Sequence, residues 1–449
     1  MAFETTSCKD SQVQLRVPET GRSAAARRER GEGPLAGIRI ADFCWVGVGA
    51  LATRFLADFG AEVIKIEDRT RLDLTRRMPI YKGDSSRAMS QEVAGASPNM
   101  SGHFNNYNRN KLGVTINMRT EEGRSLVRRL IARSDVVTEN FAPGIMERWD
   151  LAYDALREIK SSIISARMSG FGHSGPDEFY RSYGPVVQAV GGLTFSSGLP
   201  NREPSGWGMS YMDNQAAYNA SAAILMALYH RALTGEGTEI DVSALEASVH
   251  LIGPALLDAE VNNRTYRDSD FPPGNLLEFS DAAPHGVYPT CEPDRWVAVA
   301  VFDDAEWDRF VDALGRPQWA AAPEFADQAR RRGAVASLDQ KVAEWTGARS
   351  GREVAGLLQQ HGVRASLVQD AEDVVDRDPQ LAHRGVFVEM DHPEIGPAPF
   401  EGTPFLADAS KPVHWRSSPL LGEDNEYVFK ELLQMPSEQF SDLHDSGVI

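Results

Sequence analysis

From about residue 35 the chain alternates apolar runs of strand length with longer stretches of helical period. Residues 37–43 (GIRIADF) predict a buried strand, 51–59 a helix stopped by Gly60, and 62–67 (EVIKIE) a second strand, together a βαβ unit. The pattern then repeats with strand 113–118, a helix starting near Thr120, and strand 136–139. Glu121 and Glu122 fall in the first turn of that helix, where its dipole favours negative charge. Another strand is expected at 163–168. After a glycine-rich stretch, a long helix of small residues at 214–233 closes at Thr234-Gly235-Glu236-Gly237 and leads into strand 239–242. Strands alternating with helices imply a parallel sheet covered on both faces, an α/β fold.

Elsewhere the texture differs. Residues 1–34 mix arginines with small and acidic residues without a sustained apolar period, and read as a disordered leader. Glu4, Asp10 and Glu19 count against a transit peptide. After a large domain over 35–260, a loop-rich connector at 261–284 leads to a smaller α+β domain at 285–367. It opens with short strands in 287–301 around a turn at Glu292-Pro293-Asp294. The closing segment, 368–449, is broken by Pro379, Pro393, Pro397, Pro404 and Pro412 before a last helix at 425–434.

A chain of 449 residues with 42% hydrophobic content can bury a large core. No run approaches the roughly 18 apolar residues of a membrane span, and nothing near Met1 resembles a secretory signal, so a cytoplasmic protein without a membrane partner is expected. A net charge of −18 argues against nucleic acid as a partner. Cys8, Cys44 and Cys291 are too scattered for a disulfide framework or a zinc site, and no metal is expected. His103, His230 and His250 lack metal-ligand spacing, and no G-x-S-x-G elbow is present.

Three features could carry chemistry. Gly47-Val48-Gly49-Ala50-Leu51-Ala52 fits G-x-G-x-x-A between strand and helix, with Glu67 about 20 residues on, as in a dinucleotide site. Because Cys44, Trp45 and Val46 intervene after the strand, glycines serving close helix–strand packing are the preferred reading. Arg69, Arg71, Arg76 and Arg77, with Asn108-Arg109-Asn110-Lys111, concentrate positive charge in an acidic chain, as a phosphate-bearing ligand or a solvated surface requires. Asp213 precedes the long helix, where it serves as an N-cap, as a nucleophilic carboxylate, or as both.

Residues 59–67 (FGAEVIKIE), 108–111 (NRNK), 139–144 (ENFAPG), 233–237 (LTGEG) with 241–243 (DVS), and 419–423 (PLLGE) together resemble the class III CoA-transferases, the group of formyl-CoA, carnitine and benzylsuccinate CoA-transferases. The likeness runs from about Leu35 to Ile449. It implies a Rossmann-like large domain built from both chain ends, a small middle domain, and an interlocked homodimer. It also implies Asp213 as the catalytic nucleophile, acting on a coenzyme A thioester as substrate with no separate cofactor. By the same resemblance CoA contacts Val46, Gly47, Ile116, Arg119, Asn140, Phe141, Arg148, Arg181 and Tyr183, and Arg69 stands one place after the position that is commonly arginine, here Asp68. Trp45 resembles the benzylsuccinate branch, pointing to an aromatic acceptor; a dicarboxylic acid is the other class expected.

The implied reaction moves CoA from an acyl-CoA to a free carboxylic acid. A racemase of the same fold needs a histidine where this chain has Tyr183, and a phenol with a pKa near ~10 is a poor base at neutral pH. A non-catalytic acyl-CoA-binding protein is the other alternative. Oxyanion donors are expected from Gly191 and Gly192 or from the Pro273-Gly274-Asn275 turn.

Overall fold

A computed structural model describes residues 33–78, 97–197, 202–264, 267, 274–405 and 416–449. The leader read at 1–34, apart from its last two residues, and parts of the 261–284 connector, Pro273 among them, lie outside the described residues, as does Pro412. The chain divides into two compact units. One holds the described residues up to 197 with 205–254 and 379–449, the other 202–204 with 255–378.

The first unit is built on six parallel strands: β1 (Arg39–Asp42), β2 (Glu62–Glu67), β3 (Leu112–Thr115), β4 (Val136–Glu139), β5 (Ile164–Ser169) and β6 (Glu239–Ser243), in the order β3-β2-β1-β4-β5-β6. Its helices are α1 (Val48–Asp58), α2 (Gly102–Tyr107), α3 (Glu121–Ala132), α4 (Ile145–Arg148), α5 (Tyr153–Ile159), α6 (Gly184–Val190), α7 (Tyr211–Thr234) and α8 (Ala244–Leu251). On one face, Ile64, Ile66 and Val114 pack with Leu126, Val127, Leu130 and Ile131 of α3 and with Val428 and Phe429 from the end of the chain. On the other, Ile40, Val63 and Ile164 meet Leu56 of α1 and Ile224 and Ala227 of α7. Burial on both faces explains why the central strands carry apolar residues at successive as well as alternate positions, as Val63 and Ile64 do. The Thr120 hydroxyl caps α3 by accepting the Gly123 N–H at 3.0 Å, and Gly235 ends α7 in the left-handed region at φ +78°.

α9 (Gly253–Asn262) carries the chain into the second unit at Ala255. There β7 (His285–Pro289), β8 (Trp296–Ala300) and β9 (Arg364–Val368) form an antiparallel sheet, with α10 (Asp304–Ala313), α11 (Gln328–Gly333), α12 (Val335–Thr346) and α13 (Gly351–Gln360). Val297 and Val299 pack with Phe310, Leu338, Val342, Val354 and Leu358.

The closing segment departs from its sequence reading. After α14 (Pro379–Arg384), the antiparallel hairpin β10 (Phe387–His392) and β11 (Gly396–Glu401) forms despite Pro397 and Pro399, which a two-stranded sheet accepts because both strands are edges. The helix expected at 425–434 is a short π-helix, Tyr427–Leu432, followed by α15 (Ser437–Asp445). This segment also covers the β3 edge of the large sheet. Along β3, the Gly113 N–H donates to Asp424 Oδ2 at 2.8 Å and the Thr115 N–H to Asn425 Oδ1 at 2.9 Å, while the Asn117 N–H just beyond donates to the Val448 carbonyl at 2.8 Å. No described helix is long and apolar enough to cross a membrane.

Candidate active site

Strand order reverses at β1, whose neighbours are β2 on one side and β4 on the other. In an open parallel sheet the loops leaving such a pair diverge and open a crevice at the carboxyl ends, where ligands bind. Here the loops are 43–47 and 140–144. The Asn140 side chain ties them together, accepting the Trp45 N–H at 2.8 Å and donating to the Trp45 carbonyl at 2.7 Å. Phe141 meets the Trp45 ring edge-on at 5.7 Å, and the Arg71 guanidinium lies 5.3 Å over that ring. The sequence-predicted residues Val46, Gly47, Asn140 and Phe141 are therefore brought into one place.

Asp213 stands against this loop. A Cβ on Gly47 would lie 2.6 Å from Asp213 Oδ2 and 2.8 Å from its Cγ, so only glycine lets the loop backbone pass the carboxylate. The N-cap reading of Asp213 needs correction. α7 begins at Tyr211 with Ser210 as its N-cap, placing Asp213 in the first turn. The earlier start follows from Met212, which is fully buried with Val187, Ala216 and Ala244. Burial pushes the Asp213 carboxyl up to about 6, against a hydrogen bond from Ser210 that pulls it down. Tyr107 packs against the cluster that holds Ala217, one helical turn beyond Asp213, and its phenol is raised by burial and then by the Asp213 charge. Nothing in the sequence marked Tyr107, because a tyrosine in a short helix has no distinguishing pattern.

The model of CoA-transferase family III matches residues 35–425. The chain belongs to this family. Succinyl-CoA–D-citramalate CoA-transferase of Chloroflexus aurantiacus is 30% identical over 423 residues, covering 93% of this chain and 98% of that protein. Formyl-CoA:oxalate CoA-transferase of Streptomyces avermitilis is 32% identical over 426 residues, covering 92% and 99%. Among solved structures, a CAIB/BAIF family protein from Brucella suis superposes with a TM-score of 0.79 at 28% identity, over 89% of this chain and all of that one.

Half of the basic cluster of this family III chain is internal: Arg76, Arg109 and Lys111 are buried, whereas Arg69, Arg71 and Arg77 are exposed. Arg76 donates from Nε and Nη2 to the two oxygens of Glu67, both at 2.8 Å, with its guanidinium 3.5 Å over Phe104. Arg109 pairs with Asp58 at 2.6 Å and Lys111 with Asp42 at 3.1 Å, all within the core. These cations hold the fold together rather than present themselves to a phosphate, and they are not solvated surface. The pairing also takes both oxygens of Glu67, the residue a dinucleotide ribose would need. Gly49 serves close packing, since a Cβ there would run into the Cys44 side chain.

Arg69 is exposed at the end of β2, with its Nε donating to Thr115 Oγ1 at 3.2 Å. Arg119 is exposed beyond β3, whereas the Ile116 side chain is buried in the core. Arg148, Arg181 and Tyr183 are exposed, and among the described residues no hydrogen bond ties them to the Trp45–Asn140 group. Gly191 packs against the Ser248 side chain and Gly192 faces Ile252 with φ +84°, while Gly274, with φ +68°, belongs to the other unit. Among the described residues no group of three His, Cys, Asp or Glu side chains is placed to hold a metal ion.

Proposed function

We propose that this enzyme transfers CoA from an acyl-CoA to a dicarboxylic acid through covalent intermediates on Asp213. The observation carrying this reading is the partly buried Asp213 carboxylate set against the backbone of Gly47, in the loop that leaves β1 at the switch point. Asp213 attacks the thioester carbonyl, forming an acyl-aspartyl anhydride and releasing CoA thiolate. Thiolate attacks the aspartyl carbonyl, releasing the donor acid and leaving an aspartyl-CoA thioester. The acceptor carboxylate opens that thioester to a second anhydride and frees thiolate again. Attack of thiolate on the acceptor's acyl carbon gives the product and restores Asp213, with no net proton moved.

Relatives whose names include D-citramalate and oxalate support a dicarboxylic acceptor. An aromatic acceptor, the other class expected, rests on the resemblance of Trp45 alone, whose ring packs with Arg71 and Phe141. Exposed Tyr218, Met226, Tyr229 and Leu233 along α7 support a second copy of the chain as partner. Arg69, Arg119, Arg148 and Arg181 supply exposed cations for the CoA phosphates in this reading.

Mass spectrometry after incubation with succinyl-CoA and other acyl-CoAs, quenched with hydroxylamine, tests the mechanism. A modification mapped to Asp213 and missing from Asp213→Ala supports it; tight CoA binding without any adduct would leave a binding protein or a racemase. Because the nucleophile must be ionised, adduct formation should be half-maximal at about pH 6, level off about one unit above it and fall about tenfold per pH unit well below it. A flat profile down to pH 4.5 would contradict that assignment. In Gly47→Ala the new methyl must displace the carboxylate, and kcat should fall roughly a hundredfold with unchanged secondary structure by circular dichroism.

A further inference from the structure

Val46 has a φ of +58°, a left-handed conformation rare for a β-branched side chain. Its N–H donates to both oxygens of Asp73, at 3.2 and 3.3 Å. Lys65 Nζ donates to Asp73 Oδ2 at 3.0 Å and to the Cys44 carbonyl at 2.7 Å. Asp73 Oδ1 also accepts the Thr75 N–H at 2.9 Å and hydroxyl at 2.8 Å. Lys65 and Asp73 are fully buried. On the far side of the same loop, the Cys44 N–H donates to Asp42 at 3.0 Å.

A buried ion pair gains little stability over apolar residues of the same size, so stability alone does not account for this one. What the pair does is geometric. It grips the loop at Cys44 and Val46, immediately before Gly47, whose backbone passes the Asp213 carboxylate with no room for a methyl group.

We propose that Asp73, braced by Lys65, is a positioning residue that holds Val46 in its left-handed conformation and thereby fixes the Gly47 backbone against the nucleophile. The proposal rests on the reading of Asp213 as nucleophile. Asp73 touches no reacting atom; it acts through the Val46 peptide. A carboxylate suits the task because one group can accept the strained N–H, the Thr75 donors and the lysine together.

Two variants test it. Asp73→Asn keeps the shape and removes the charge; Val46→Gly leaves the ion pair intact, removes the strain and lets the loop sample other conformations. Both should slow adduct formation at Asp213 and kcat at least about tenfold, with KM for the acyl-CoA within about threefold of wild type. Val46→Gly should do so with an undiminished melting temperature, which a merely structural role would not produce. Should Asp73→Asn fail to fold, Val46→Gly still decides. Either folded variant acylating at the wild-type rate overturns the brace. Wild-type enzyme that forms no adduct at Asp213 would instead remove the reading beneath it.

Discussion

Asp213→Asn should yield a protein that is more stable than the wild type and does not transfer CoA. Loss of the proposed nucleophile is expected to lower kcat by roughly 10⁴-fold or more, since an amide cannot form the proposed anhydride. The stability gain follows from the environment that raises the carboxyl from 3.8 to about 6, an interval worth roughly 3 kcal/mol. The folded protein binds this proton more tightly than the unfolded chain. The stability that protonation provides is therefore present in full below the unfolded value and is lost as pH rises through the folded one. At pH 7 the wild type carries the whole penalty and the neutral amide carries none. Urea denaturation of both proteins should show the variant ahead by up to ~3 kcal/mol at pH 7, with the difference shrinking toward pH 4. Equal midpoints at pH 7 would mean that the carboxylate is not destabilised in the folded state.

The opposite sign is expected beneath β1. Asp42 accepts from the Cys44 N–H at 3.0 Å, the Thr53 hydroxyl at 2.8 Å, the Thr138 hydroxyl at 3.0 Å and Lys111 at 3.1 Å. Burial would raise this carboxyl, but the ammonium groups of Lys111 and Lys65 outweigh it and hold it below the ordinary range. Lys111→Met leaves a buried charge without that partner and should cost about 3–5 kcal/mol in chemical denaturation. Asp42 holds its proton less tightly when folded than when unfolded. Its contribution is thus present above the ordinary aspartate pKa and disappears as pH falls through the lowered one, so the gap between Lys111→Met and wild type should narrow in strong acid. A loss under 1 kcal/mol at pH 7 would show that water reaches the pair.

The sequence carried the alternation of strands and helices well, because short strands rich in β-branched residues, such as EVIKIE, alternate with longer stretches of helical period. It carried the charges poorly. Arg76, Arg109 and Lys111 looked like a basic surface or a phosphate site, and their partners Glu67, Asp58 and Asp42 lie 9, 51 and 69 residues away along the chain. No local pattern announces such pairing. Lys65 was the legible exception in principle, since an ammonium inside an apolar strand must find a counter-charge, but only the fold names Asp73. The start of α7 was misplaced because Tyr211 and Met212 look like loop beside Gly208, whereas their burial extends the helix past Asp213. The meeting of the Trp45 and Asn140 loops depends on strand order, which periodicity does not encode.

The capping of β3 also sets a timetable for synthesis. Gly113 leaves the ribosome 311 residues ahead of the Asp424 that satisfies its N–H. At about 5–20 residues per second, the sheet's outer strand waits roughly 15–60 s with bare hydrogen-bonding groups, a template for pairing with neighbouring nascent chains. Completion of this sheet edge therefore waits for the closing segment, and chains truncated before Asp424 should aggregate rather than accumulate as a folded fragment.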